Sequence, residues 1–336
     1  CEAGQTDGDL ALYNWSEYID PELISAFEEQ YDVSVTQDFY DSNEAMQPVI
    51  AAGSSGYDVI VPSDYMVSIL IEGGDIMPLN KDAIPNYTNL LPEFESGLPY
   101  DPDGEYVAAY QWGSTGLGVN LAELGDDFPR SWGLVFDPEL RAEYGLDGKL
   151  SLLNDPRETL GAALKYLGYS LNTTSEEELD EARDLLRDTV SALAAFDSDS
   201  YDENLGNGTT IVGHGYSGNM FAQFIDSDDP AQWDYFMPIE GGTQWVDNMA
   251  VVVDAPHPCT AHTFIDFILD GDNGAALSNW NYYASPNEAS QPMIDEAVKP
   301  FLDKATAGVE EDKIEFISDT GDFEVNFSDA FAEARG

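Results

Sequence analysis

Basic residues are what this chain has least of. Its 336 residues include 12 Lys and Arg against 65 Asp and Glu, a formal net charge of −53. Nucleic acid is excluded as a partner, because binding a phosphate backbone needs a basic footprint. The same shortage removes a polybasic route to membrane surfaces. Long apolar runs are missing too. The best candidates, around Met249–Val253 and Phe264–Leu269, fall well short of the ~20 residues that a membrane-spanning helix needs. Histidine is scarce: His214, His257 and His262 lie apart, the i, i+5 spacing of the last two makes a poor metal site, and His262 is expected on a helix surface. No nucleophile motif and no glycine-rich phosphate cradle occurs, so the chain reads as a non-enzyme with no cofactor and no metal.

Cysteine is nearly absent, with only Cys1 and Cys259. A disulfide scaffold is unnecessary at this length, and nothing in the spacing supports a bond between these two. The start at Cys, followed by the Gly-, Asp- and Thr-rich stretch Glu2–Asp9, reads instead as a mature lipoprotein. On that reading the Cys1 thiol carries lipid, residues 1–9 form a flexible tether to the membrane, and the protein works outside the cytoplasm.

What is present is ample core material, 43% hydrophobic residues and 12% aromatic ones, enough for two domains. Most carboxylates sit in loop-like or helix-face runs such as Glu176–Glu178, Asp197–Asp202 and Asp226–Asp229. These read as a solvated acidic shell suited to high salt, where screening weakens self-repulsion. The Asp197–Asp202 loop lacks the glycine and terminal glutamate of a calcium loop and is assigned to solvent. Only a few carboxylates remain for a site.

Strands and helices alternate. Leu10–Trp15, Val33–Tyr40 and Tyr57–Pro62 read as strands, and Pro21–Tyr31, Asn43–Ala52 and Tyr65–Ile71 as helices. This opening implies a parallel sheet with functional groups at the carboxyl ends of its strands, where Trp15–Tyr18 and Ser63–Tyr65 fall. Further along, Val107–Asn120 is a glycine-punctuated crossover. Leu150–Asn154 is a strand, Pro156–Leu167 a helix capped by Asp155, and Glu176–Leu193 a long amphipathic helix. Thr209–Gly213 and Trp245–Val253 are strands, and Met220–Ile225 and Thr260–Leu269 are helices.

Three groupings have the chemistry of an organic-cation site. Tyr13–Tyr18 brings aromatic rings, a hydroxyl and a carboxylate together, and ring faces attract positive charge while a carboxylate neutralises it. Asp155 and Glu158 are three apart at a helix start, so both can face one point; the plainer alternative is an N-cap with its capping-box partner. Trp245 and Asp247 are two apart on a strand and share a side; the alternative is a core Trp beside a strand-end Asp.

Eight short stretches, in order, resemble the periplasmic spermidine/putrescine-binding proteins of bacterial ABC importers: Tyr13–Tyr18, Tyr40–Met46, Tyr57–Tyr65, Gln111–Asn120, Leu152–Glu158, Leu167–Thr174, Glu240–Asp247 and Tyr283–Asn287. The resemblance implies an α/β, two-lobed type II periplasmic-binding-protein fold with a ligand cleft between the lobes. The lobes would be residues 10–119 with 248–293, and 120–247 with 294–336. It places Trp15, Ser16, Glu17, Tyr18, Ser63 and Tyr65 on the ligand from the first lobe. Asp155 and Glu158 would receive one amine, Trp245 would be an aromatic wall, Asp247 the central carboxylate, and Tyr283 a further ring. Tyr216 stands where spermidine binders have Trp, and Ile317 where they have a ligand-contacting Gln. The implied partners are a polyamine, with spermidine ahead of putrescine, and an ABC permease; the implied state is a monomer. Two rivals are kept in view. Adjacent Tyr282 and Tyr283 suit a ferric-ion or other solute binder of the same fold, and Asp155/Glu158 a glycosidase pair, which lacks any accompanying constellation.

Overall fold

Period-two alternation at the start of the chain builds a parallel sheet. In the computed structural model, which describes every residue except Asp226, Asp303, Ala305 and Thr306, β1 (Leu10–Trp15) lies between β2 (Val35–Tyr40) and β3 (Val59–Ile60) and runs parallel to both. Asp226, the first residue of the acidic run 226–229, therefore lies outside the described residues. The helix α1 (Pro21–Tyr31) joins β1 to β2. It starts with Pro at its first position and Asp20 as its cap, and buries Leu23, Ile24 and Phe27. Phe27 meets Phe264 edge-on at 5.1 Å, so α1 shares a core with the helix Pro258–Ile268. The helix α2 (Asn43–Ala51) follows β2, and α3 (Asp64–Gly73) follows β3, ending at the left-handed Gly74.

The chain divides into two units: residues 1–112 with 245–299, and residues 113–244 with 300–336. Two of the three divisions fall inside long strands, β4 (Val107–Asn120) and β9 (Gly242–Val251), and the third falls between Lys299 and Pro300. Sequence reading put the two strand divisions three to seven residues later, because no turn or composition change marks a boundary in mid-strand, and the third six residues earlier. The consequence is a correction: Trp245 and Asp247 belong to the first unit, not the second. In unit 1, β9 completes the sheet antiparallel to β3, pairing Ala250 with Ile60.

In unit 2, β4 pairs antiparallel with β7 (Val212–Tyr216) and with β8 (Trp233–Phe236). The strand β5 (Leu150–Leu152) runs parallel to β7 and to β6 (Leu193–Phe196), and β10 (Ile314–Glu315) pairs with Gly242 and Thr243. Leu117, Trp132, Phe136, Leu150, Leu164 and Phe327 lie in its buried core.

The N-terminal residues depart from expectation. Cys1 is joined to Cys259 by a disulfide, so its sulfur is not free to carry a thioether-linked lipid. Spacing could not suggest a pair 258 residues apart. Nor is 1–9 a loose tether. The Asp7 carboxylate accepts from the Thr260 amide at 3.0 Å, capping the helix Pro258–Ile268, and Thr263 donates to the Gln5 carbonyl at 2.7 Å. His262 is buried rather than on the surface. Its Nε2 accepts from the Asn80 amide at 2.9 Å, and burial holds its pKa below the usual histidine range.

Candidate functional site

Two residues with left-handed backbone that are not glycine bracket the densest aromatic cluster of unit 1. Glu17 has φ 53° and Tyr282 φ 60°, a region sparsely used by residues with a Cβ. Each immediately precedes a buried tyrosine of the cluster. At Glu17 the chain leaving β1 reverses, which exposes Ser16 and Glu17 and turns Tyr18 inward. At Tyr282 the helix Gly271–Asn281 stops, and the Asn281 side chain accepts from the Tyr283 amide at 3.2 Å, fixing where Tyr283 starts.

The two turned tyrosines meet edge to face, with centroids 5.3 Å apart, and Tyr283 meets Trp245 the same way at 5.2 Å. Tyr110 packs against Tyr18 at 5.3 Å and donates its hydroxyl to the Tyr18 carbonyl at 2.6 Å. On the β1 side, Trp15 is held by a 2.9 Å bond from its indole nitrogen to the Val61 carbonyl and lies 4.6 Å from the Tyr40 ring. Tyr40 donates to the same carbonyl at 2.6 Å.

Among these rings sits Asp247, 6% exposed. Ser63 donates to its Oδ1 at 2.7 Å and Tyr18 to its Oδ2 at 2.8 Å. Ser63 stands at the cap position of α3 but makes no side-chain cap bond, so its hydroxyl serves Asp247 instead. Asn43 holds Ser63 by donating to its Oγ at 3.0 Å and accepting from its amide at 3.2 Å. Burial pushes the Asp247 carboxyl up to about 6, with the Ser63 and Tyr18 hydrogen bonds pulling the other way. The Tyr18 hydroxyl is driven well above its ordinary range by burial and then by Asp247. No ion pair to Asp247 occurs among the described residues. Unit 1 contains only two of the twelve basic residues: Lys81, which lies over the Tyr87 ring, and Lys299, paired with Glu296.

Tyr65, also expected at the site, donates to Glu44 Oε1 at 2.7 Å. The remaining candidates lie in unit 2. Asp155 Oδ1 accepts from the Glu158 amide at 2.9 Å and so acts as the helix cap. Glu158 Oε1 accepts from the Thr115 hydroxyl at 2.8 Å, and the residue is 6% exposed. Tyr216 ends β7 with its ring edge-on to Tyr201 at 6.1 Å, and Ile317 is buried. Within unit 1, then, Trp15, Tyr18, Ser63, Trp245, Asp247 and Tyr283 come together, while Ser16 and Glu17 stand exposed beside them. Sequence reading missed the roles of Tyr40, Asn43, Glu44 and Tyr110. The first three lie at or just past the carboxyl end of β2, the same positional signal that singled out Trp15 and Ser63. Tyr110 carried no signal among 18 tyrosines.

Residues 22–304 match the family described as bacterial extracellular solute-binding protein. Over 296 residues the chain is 36% identical to a protein of Pseudomonas aeruginosa named putrescine/cadaverine-binding protein, covering 86% of this chain and 82% of that one. It is 31% identical to the spermidine/putrescine-binding periplasmic protein of Escherichia coli, covering 86% and 80%. Among solved structures, a putative spermidine/putrescine ABC transporter from Listeria monocytogenes superposes with a TM-score of 0.89 at 30% identity, covering 98% of this chain and 99% of that one.

Proposed function

The chain belongs to the family of bacterial extracellular solute-binding proteins, and on that premise we propose that it binds a polyamine outside the cytoplasm and delivers it to an ABC permease. One observation carries the choice of ligand. Asp247 is a buried carboxylate whose partners are two hydroxyls, in a unit whose two basic side chains are engaged elsewhere. Holding a buried charge without a counter-ion costs several kcal/mol, about what an ammonium group would recover on binding. The rings of Tyr18, Trp245 and Tyr283 suit that group's charge and the methylenes that follow it. Paired charge inside an apolar wall also selects against neutral solutes, which would leave the carboxylate unmatched.

We assign Trp15, Ser16, Glu17, Tyr18, Ser63, Tyr65, Asp155, Glu158, Tyr216, Trp245, Asp247 and Tyr283 to the ligand, with Asp247 as the central acceptor. Within the polyamines we place spermidine ahead of putrescine, on the presence of Asp155, Glu158 and Tyr65. The names of the similar proteins favour putrescine more often, which makes this the sharpest point to test. A ferric-ion reading has less support. Its ligands would be the adjacent Tyr282 and Tyr283 as tyrosinates, and the Tyr283 ring instead packs edge-on to both Tyr18 and Trp245. We take the working unit to be a monomer. Anchoring through Cys1 would require its sulfur outside the disulfide with Cys259, and the mass of the peptide carrying Cys1 distinguishes the two states.

Isothermal titration with putrescine, spermidine and spermine at one high salt concentration tests the function, since screening removes the general pull of the acidic surface. Saturable one-to-one binding is expected, tightest for spermidine. Putrescine binding more tightly would overturn the specificity, and no binding of any of the three would overturn the function.

A further inference from the structure

Glu44 accepts from Tyr65, but its second carboxylate oxygen has no role in the fold described so far. It lies in the first turn of α2, where a negative charge is favoured by the helix dipole. Its Oε1 accepts from the Tyr65 hydroxyl at 2.7 Å, whereas its Oε2 is buried without a hydrogen-bond partner. A buried carboxylate oxygen left unmatched is costly, and native structures retain such groups where something else supplies the donor. Neither basic side chain of unit 1 does so: Lys81 lies over Tyr87 and Lys299 reaches Glu296.

Glu44 is also tied to Asp247 through two short paths on the same helix starts. Its neighbour Asn43 grips Ser63, which donates to Asp247, and Tyr65, two residues beyond Ser63, donates to Glu44. One pair of helix N-termini therefore supplies a hydroxyl to each of two carboxylates, Ser63 to Asp247, whose other oxygen takes Tyr18, and Tyr65 to Glu44.

We propose that Glu44 is a second ammonium acceptor of unit 1, working with Asp247 to recognise an organic dication by both of its charges. The proposal rests on the polyamine reading and deepens it. Tyr65 is then a positioning residue, keeping one oxygen of Glu44 occupied so that the other faces the ligand. The diamine's first ammonium goes to Asp247, and the second takes the unpartnered oxygen of Glu44.

The test compares putrescine with n-butylamine, a monoamine of the same length, on the intact chain and on Glu44→Gln, Tyr65→Phe and Asp247→Asn. Gln keeps an acceptor for Tyr65 and removes only the charge. Glu44→Gln is expected to weaken putrescine about tenfold and leave n-butylamine within about twofold, while Asp247→Asn weakens both. Equal losses for the two amines in Glu44→Gln, matched by Tyr65→Phe, would make Glu44 a scaffold for Tyr65 and overturn the proposal. If the unsubstituted chain binds neither these amines nor spermidine, the polyamine reading fails and takes this one with it, whereas spermidine binding without putrescine binding overturns this proposal alone. Should Glu44→Gln lower the melting temperature, Tyr65→Phe alone still decides: an equal loss for both amines overturns the proposal, and a loss confined to putrescine supports it.

Discussion

Buried basic side chains in unit 2 meet carboxylates: Arg157 reaches Glu324 at 2.6 Å, Arg141 reaches Asp147 at 3.1 Å, and Lys165 pairs with Glu315. Arg157 also lies over the Phe327 ring and donates to Asn172 at 2.9 Å, joining the helix Pro156–Leu167 to the C-terminal helix Glu324–Arg335. In unit 1, the buried Asp247 is met by hydroxyls. The same chain thus treats buried charge in two ways. Where the opposite charge comes from the chain, the pair is part of the fold. At Asp247, where two hydroxyls are the donors, burial raises the carboxyl's pKa and the charge costs stability.

Breaking the unit 2 pair should have the largest effect. Arg157→Met leaves Glu324 without its partner and is expected to cost about 3 kcal/mol of stability by urea denaturation. A loss below about 1 kcal/mol would erase the contrast with unit 1.

Asp247→Asn should act in the opposite direction on folding. The Asp247 carboxyl has its pKa raised from 3.8 to about 6 in the folded chain, so protonation favours the fold. Its contribution is complete below the ordinary carboxyl range and is lost as the pH rises through about 6. Asp247→Asn is therefore expected to stabilise the empty protein by about 1 kcal/mol at pH near 8 and to give no gain at pH near 4, read from melting curves. Its affinity for polyamine should fall by at least about 2 kcal/mol, roughly thirtyfold. Binding within twofold of the unsubstituted chain would remove Asp247 from the site.

The smallest effect sharpens the assignment. Tyr18→Phe removes one of the two donors that hold the Asp247 carboxyl down, so its pKa should climb further. Affinity is expected to drop by about 1 kcal/mol near pH 6 and by less near pH 8. A pH-independent loss would mean that Tyr18 acts through its ring alone.

Much of unit 1 was legible because its signals are local. Alternation gave β1 over Leu10–Trp15, and the proline at its start with Ile24 and Phe27 on one face gave α1 over Pro21–Tyr31. Likewise Asp155 was readable as a cap, since capping joins residues a few positions apart. Where the outcome depended on distant partners, sequence reading failed. His262 looked like a surface residue until Asn80 was brought against it, and nothing local to Glu44 pointed to Tyr65, 21 residues further on.

The sequence by itself determined the elements, the shortage of basic partners and the types of residue available for a cation, because propensity, period and composition are properties of short stretches. Tertiary structure alone decided which carboxylate is buried, which hydroxyls serve it and where Cys1 ends up. Those outcomes depend on contacts such as Ser63 with Asp247 and Cys1 with Cys259, separated by 184 and 258 residues, and only the folded chain sets them.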